Sequence, residues 1–92
     1  MIAALVLINV QRNAINTTAQ RLLEIPGVAE VYSVTGEWDL VALLRLARYE
    51  DLAEVVTERM IAIDSIVRTH TMTAFKVYSR EDLEQAWDIG VE

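Results

Sequence analysis

Residues Asp39–Ala47 have the sequence DLVALLRLA, in which both alternating sets of side chains are largely apolar. Successive side chains of a β-strand point to opposite faces of its sheet. One face would carry four apolar residues, Leu40, Ala42, Leu44 and Leu46. The other would carry Val41, Leu43, Arg45 and Ala47. Both faces of this strand therefore require burial, which a sheet with one side open to water does not provide.

Three further segments predict strands. Ile2–Val10 is apolar and β-branched on both alternating sets, as expected of a central strand with both faces covered. Val28–Thr35 precedes Asp39–Ala47, and the short connection Gly36-Glu37-Trp38 between them is typical of an antiparallel hairpin. Ile66–Tyr78 is rich in β-branched and aromatic residues and predicts the last strand.

Apolar residues at helical spacing predict two helices, one from Ala14 to about Glu24 and one from Glu50 to Ile63. Asn13 or Asn16 would cap the first helix. The motif Ser79-Arg80-Glu81-Asp82 resembles a capping box, so it predicts a further short helix near the C-terminus.

The resulting order, β-α-β-β-α-β, predicts an α+β fold of the ferredoxin-like class, with an antiparallel sheet and two helices on one of its faces. We expect this domain to span residues 1–79, followed by an acidic tail with a short helix over residues 80–92. A 92-residue domain in which 53% of the residues are hydrophobic cannot shelter all of its apolar surface. We therefore expect it to dimerise through the sheet, as a dimeric α+β barrel.

Composition excludes several classes of protein. The net charge is −6, from 8 basic and 14 acidic residues, and this balance lacks the basic surface that binding to nucleic acid requires. We expect no direct contact with nucleic acid, and no apolar run is long enough for a membrane helix. The chain has no cysteine and one histidine, so we expect neither a metal nor another cofactor, and a cytoplasmic location.

The segment Thr35-Gly36-Glu37-Trp38-Asp39 is the one with an evident chemical character. Gly36 can adopt a positive φ that leaves neighbouring N–H groups approachable, while Asp39 places a carboxylate at the start of a buried strand. Such a pairing suits a zwitterion, with N–H groups for its carboxylate and Asp39 for its ammonium. A hairpin with a turn glycine and an aspartate that bonds the backbone is the alternative.

The chain resembles the ligand-binding half, or RAM domain, of the Lrp/AsnC transcription factors. The resemblance lies in VYSVTGEWDL at residues 31–40, IPGV at 25–28 and RTHT at 68–71, and it covers the chain from Met1 to Ser79. Asp64-Ser65-Ile66 departs from the P-G-V that the family usually has before its last strand. Because the chain begins at the first RAM strand, it resembles the stand-alone members without a DNA-binding helix-turn-helix.

The resemblance implies a homo-oligomer, in which dimers formed through the sheet assemble into a ring, and an amino acid effector bound between dimers. One wall of the site would consist of five consecutive residues, Gly36, Glu37, Trp38, Asp39 and Leu40. The other wall would offer the hydroxyl groups of Thr69 and Thr71. Full-length Lrp/AsnC regulators are further expected partners.

Two other functions stay open. Some ferredoxin-like dimers are cofactor-free monooxygenases with a pocket between sheet and helices, and His70, Trp38 and Asn9 are the residues here that would serve such an enzyme. We expect no enzyme, because no base with a partner to orient it is evident. A structural ring protein is the other alternative.

Overall fold

A computed structural model of the chain describes residues 1–80, which form one four-stranded antiparallel sheet with helices on one face. The strands are β1 (Ile2–Val10), β2 (Val28–Ser33), β3 (Leu40–Leu46) and β4 (Ile66–Thr73). Their order across the sheet is β2-β3-β1-β4, with β1 and β3 in the centre. The predicted α+β fold and the predicted span of β1 are confirmed.

The core lies between the sheet and the helices. Alternate residues of the two central strands are buried on this side, namely Ala4, Val6, Ile8, Leu40, Ala42, Leu44 and Leu46. Ile8 pairs with Leu40 on one side and with Thr69 on the other, which fixes the register of the sheet beside the β2–β3 connection.

The first helix, α1 (Ile15–Leu23), packs Leu22 and Thr18 onto the core side of the sheet. The hydroxyl groups of Thr18 and Ser65 are 2.6 Å apart, so the one buried polar side chain in the described core is hydrogen-bonded. The predicted asparagine cap is wrong, because Ala14 occupies the N-cap and its side chain makes no capping bond. Asn13 instead adopts φ 67° in the turn before the helix.

The second helix begins as α2 (Tyr49–Glu54) and continues as a π-helix, Val55–Met60. The sequence predicted a single α-helix here, so its second half is a correction. The wider π-helical turn still places Val55 and Met60 in the core. Helical spacing thus identified the buried residues but not the type of hydrogen bonding.

The opposite face of the sheet, which we term the helix-free face, is also apolar. Its exposed or partly exposed members on the two central strands are Leu5, Leu7, Val41 and Leu43. Met72 and Tyr32 extend it onto the edge strands, with 42% and 46% of their surfaces exposed. The expectation that the two central strands are apolar on both faces is confirmed.

Strand β4 differs from its prediction at both ends. Between Ile66 and Arg68 a register shift leaves Val67 as an extra residue, so Ile66 packs against the core while Arg68 lies on the helix-free face. The strand ends at Thr73 and not at Tyr78, although the N–H of Ala74 still donates to the carbonyl of Ala3 in β1. The predicted acidic tail and its helix lie beyond the described residues, which end at Arg80. No helix in residues 1–80 is long and apolar enough to span a membrane.

Candidate functional site

The connection between β2 and β3, residues 34–39, is an exposed loop tied to the sheet at its base. The N–H of Val34 donates to the carbonyl of Asp39, and the N–H of Asp39 donates to the carbonyl of Ile8 in β1. Gly36 lies at the tip with φ 106°, a conformation that favours glycine. Apart from Gly36 and its two chain neighbours, no described residue has an atom within 4 Å of where its Cβ would be, so the backbone here is open to a ligand.

Asp39 holds this loop against the end of β1. Its Oδ2 accepts hydrogen bonds from the backbone N–H of Val10 at 2.9 Å and from Nδ2 of Asn9 at 3.3 Å. Asp39 therefore bonds to the backbone, which was the alternative role that the sequence left open for it. Both of these donors bond to the same carboxylate oxygen.

A second set of contacts, which the sequence analysis missed, surrounds Arg68. We term it the Arg68 cluster, and it consists of Asn9, Glu37, Trp38, Arg68 and His70. Arg68 donates through Nε to Oδ1 of Asn9 at 3.1 Å and through Nη2 to Oε2 of Glu37 at 3.2 Å. Its guanidinium lies 4.3 Å from the centre of the Trp38 ring, within the range of a cation–π interaction.

The cluster continues to His70, whose ring centre is 6.3 Å from that of Trp38. Asn9 completes it by donating from Nδ2 to the carbonyl of Glu37 at 2.9 Å. The sequence does offer one indication of this cluster. Arg68 is a cation two residues before His70, so both side chains are expected on the same face of the strand. This indication was obscured because the bulge at Val67 changes the alternation between Ile66 and Arg68.

The structure does not bring all the predicted site residues together within one chain. Glu37, Trp38 and Asp39 lie in or beside the Arg68 cluster, whereas Leu40 is fully buried and is not exposed to a ligand in the single chain. Thr69 and Thr71 pair with Ile8 and Val6, whose side chains are buried in the core. Both threonines therefore lie on the helix-covered side of the sheet, opposite the Arg68 cluster.

A cleft of about 320 Å³ opens between the π-helix and β4. It is lined by Val56, Thr57, Met60, Ile61, Ile63, Ile66, Val67, Arg68 and Thr69. His70 pairs with Leu7 and lies on the helix-free face, away from this side of the sheet. None of the three residues expected to serve an enzyme, His70, Trp38 and Asn9, is thus among the residues that line this cleft. Within residues 1–80, no three histidine or acidic side chains group in a way that would hold a metal ion.

Comparison with known proteins gives consistent results. The family model described as Lrp/AsnC ligand binding domain matches residues 3–83. A curated relative, an uncharacterised helix-turn-helix-type transcriptional regulator of Pyrococcus furiosus, is 36% identical over 63 residues. That match covers 68% of this chain and 42% of the relative, so the chain spans less than half the length of that regulator.

Two solved structures have the same fold. A protein from Thermus thermophilus is 46% identical with a TM-score of 0.81, over 87% of this chain and all of that chain. A feast or famine regulatory protein from M. tuberculosis, complexed with L-methionine, is 27% identical with a TM-score of 0.70. The match covers 87% of this chain and 54% of that one.

Proposed function

Because the chain belongs to the family of Lrp/AsnC ligand binding domains, we propose that it is an effector-sensing module that binds a small amino acid between subunits. Binding at that position strengthens assembly of the oligomer. Through shared interfaces, the module also assembles with full-length regulators of its family and so modulates transcription without touching DNA itself.

The observation that carries this proposal is the loop of residues 34–39. It is open at Gly36 and is held in place at its base by Asp39 and Asn9 before any ligand arrives. A loop that is already ordered loses little conformational entropy when it binds, which favours recognition of a small molecule. The N–H groups beside Gly36 suit a carboxylate, and Oδ1 of Asp39 suits an ammonium.

The second wall of the proposed site comes from another subunit. Thr69 and Thr71 lie on the opposite side of the sheet from Trp38 and Asp39, so one chain cannot present both walls to the same ligand. If the ligand binds only where two subunits meet, binding and assembly are linked, and each increases the other. The complex of a related regulator with L-methionine supports an amino acid as the ligand class.

The proposal is tested by thermal unfolding and light scattering with the twenty proteinogenic L-amino acids at millimolar concentration. We expect at least one of them to raise the melting temperature and to shift the oligomers towards larger species, because ligand binding stabilises the state that binds. Asp39→Asn keeps an acceptor for the N–H of Val10 but removes the charge, so it should abolish this response.

Asp51→Asn, on the surface of α2, is the matched control and should respond like the wild type. A wild-type protein that responds to none of the twenty amino acids would contradict the proposal and leave a structural role. An unchanged response of Asp39→Asn would contradict the role assigned to the carboxylate.

A further inference from the structure

Arg68 is a cation held beside the proposed amino acid site. Its Nε is bound by Asn9, its Nη2 contacts Glu37, and the Trp38 ring lies against its guanidinium. Asn9 also bonds the carbonyl of Glu37, so the arginine is attached to the same loop that Gly36 opens. These contacts fix the plane and the position of the guanidinium.

Much of this guanidinium is available to a ligand. An arginine side chain has five N–H donors, and the contacts with Asn9 and Glu37 use two of them. The side chain is 53% exposed, so a solute can reach it. Its planar arrangement of donors matches a carboxylate group, which it can bind through two parallel hydrogen bonds.

The present partner of Arg68 is a carboxylate that is easily displaced. Glu37 contacts it through a single 3.2 Å bond, and the glutamate side chain is 73% exposed. Ion pairs between exposed side chains contribute little stability in water, because solvent competes for both charges. The carboxylate of a ligand held by the neighbouring loop could therefore replace that of Glu37.

We propose that Arg68 binds the α-carboxylate of the effector, and that Glu37 occupies the guanidinium until the effector displaces it. The inference rests on the proposed function and adds a selectivity to it. A free α-carboxylate is required, so amino acid amides are rejected, and Glu37 sets the affinity by competing for the same donors. Trp38 keeps the guanidinium facing the loop, both when Glu37 is bound to it and when the effector is.

The experiment measures binding of the twenty amino acids, each as the free acid and as the α-carboxamide, by the fluorescence of Trp38. A Trp87→Phe background leaves Trp38 as the one tryptophan of the chain. We expect the wild type to bind at least one free acid and to bind its amide at least about tenfold more weakly, because a charge-assisted hydrogen bond is lost.

Arg68→Gln should weaken binding of the same free acid at least about tenfold. Arg68→Lys should recover part of this affinity, since lysine keeps the charge but not the paired donors. Arg48→Gln is the matched control, because Arg48 forms a similar exposed ion pair with Asp51 at 3.1 Å. That control should bind like the wild type.

Glu37→Gln should strengthen binding of the free acid about two- to fivefold, because the competing carboxylate is gone. Glu37→Gln should leave the affinity for the amide unchanged. If Arg68→Gln binds the acid as tightly as the wild type, or if acid and amide bind equally, the role of Arg68 is overturned while the amino acid site stands. If the wild type binds none of the acids, both proposals fall.

Discussion

At the scale of single residues, Asn9 links the end of the central strand to the candidate site. Its amide donates to the carbonyl of Glu37 and to Asp39, and its oxygen accepts from Arg68. From the sequence, Asn9 is a candidate only for an enzyme, because one sequence does not show which side chain lies opposite a strand end. Asp39 and Gly36 were identifiable because turn chemistry restricts those positions.

Tyr32, on the helix-free face of β2, yields a prediction about pH. Its hydroxyl group donates a hydrogen bond to Oε1 of Glu30. That bond, together with desolvation and the negative charge of Glu30, raises the pKa of Tyr32 above the ordinary value of 10.0. The protonated phenol is thus favoured in the folded state. Its contribution to stability is present below the ordinary pKa and is lost as the pH rises through the folded-state pKa.

Nuclear magnetic resonance titration of the Tyr32 ring carbon should show this raised pKa, and Glu30→Gln should lower it towards 10.0 because the charge is gone. Glu50→Gln, on the surface of α2, should not change it. A Tyr32 pKa unaffected by Glu30→Gln would show that the charge of Glu30 is not its cause.

At the scale of elements, the sequence predicted the order of strands and helices along the chain, the span of β1 and the core-facing residues well, because alternation and helical spacing record burial directly. The sequence did not predict the features that depend on which residues pair between strands. Residues 74–78 have strand-forming side chains, but the pairing of β4 with β1 ends at Thr73. The register also decides that Thr69 and Thr71 lie on the other side of the sheet from the loop of residues 34–39, which one sequence does not show.

The attachment of the loop of residues 34–39 to β1 gives a prediction at this scale. Asn9→Ala removes the hydrogen bonds to Glu37 and Asp39, so it should lower the free energy of unfolding by about 1 kcal/mol. In hydrogen exchange, the amides of Val34 and Asp39 at the base of the loop should exchange faster.

Two controls show whether the faster exchange is confined to the loop. The amide of Arg45, which donates to Gly27 at the other end of the sheet, should keep its exchange rate. Asn16→Ala, within α1, should leave the loop amides as they are in the wild type. Equal protection of Val34 and Asp39 in Asn9→Ala and wild type would argue against Asn9 as the anchor of the loop.

At the scale of the whole molecule, the helix-free face requires a partner. It presents Leu5, Leu7, Val41, Leu43 and Met72 side by side on neighbouring strands. The helices cover the other face, so residues 1–80 of a single chain leave this surface in water, where contiguous apolar area is unfavourable. We therefore expect a second sheet to cover it, either from another copy of the chain or from a related regulator.

Leu5→Glu tests the face directly. Leu5 is 37% exposed on the central strand, so a glutamate fits the monomer but would be buried without a partner in a sheet-to-sheet dimer. We expect the dissociation constant of the dimer to rise at least about a hundredfold. Leu23→Glu, at a more exposed position on α1, is the control and should leave assembly intact.

The most direct test of the account is the mass of the wild-type protein in solution, measured by sedimentation and light scattering at micromolar concentration. One chain has a mass of 10.4 kDa, and a sensor built between subunits predicts at least twice this value. A stable species of 10.4 kDa throughout the micromolar range would contradict the shared site and, with it, the linkage between effector and assembly.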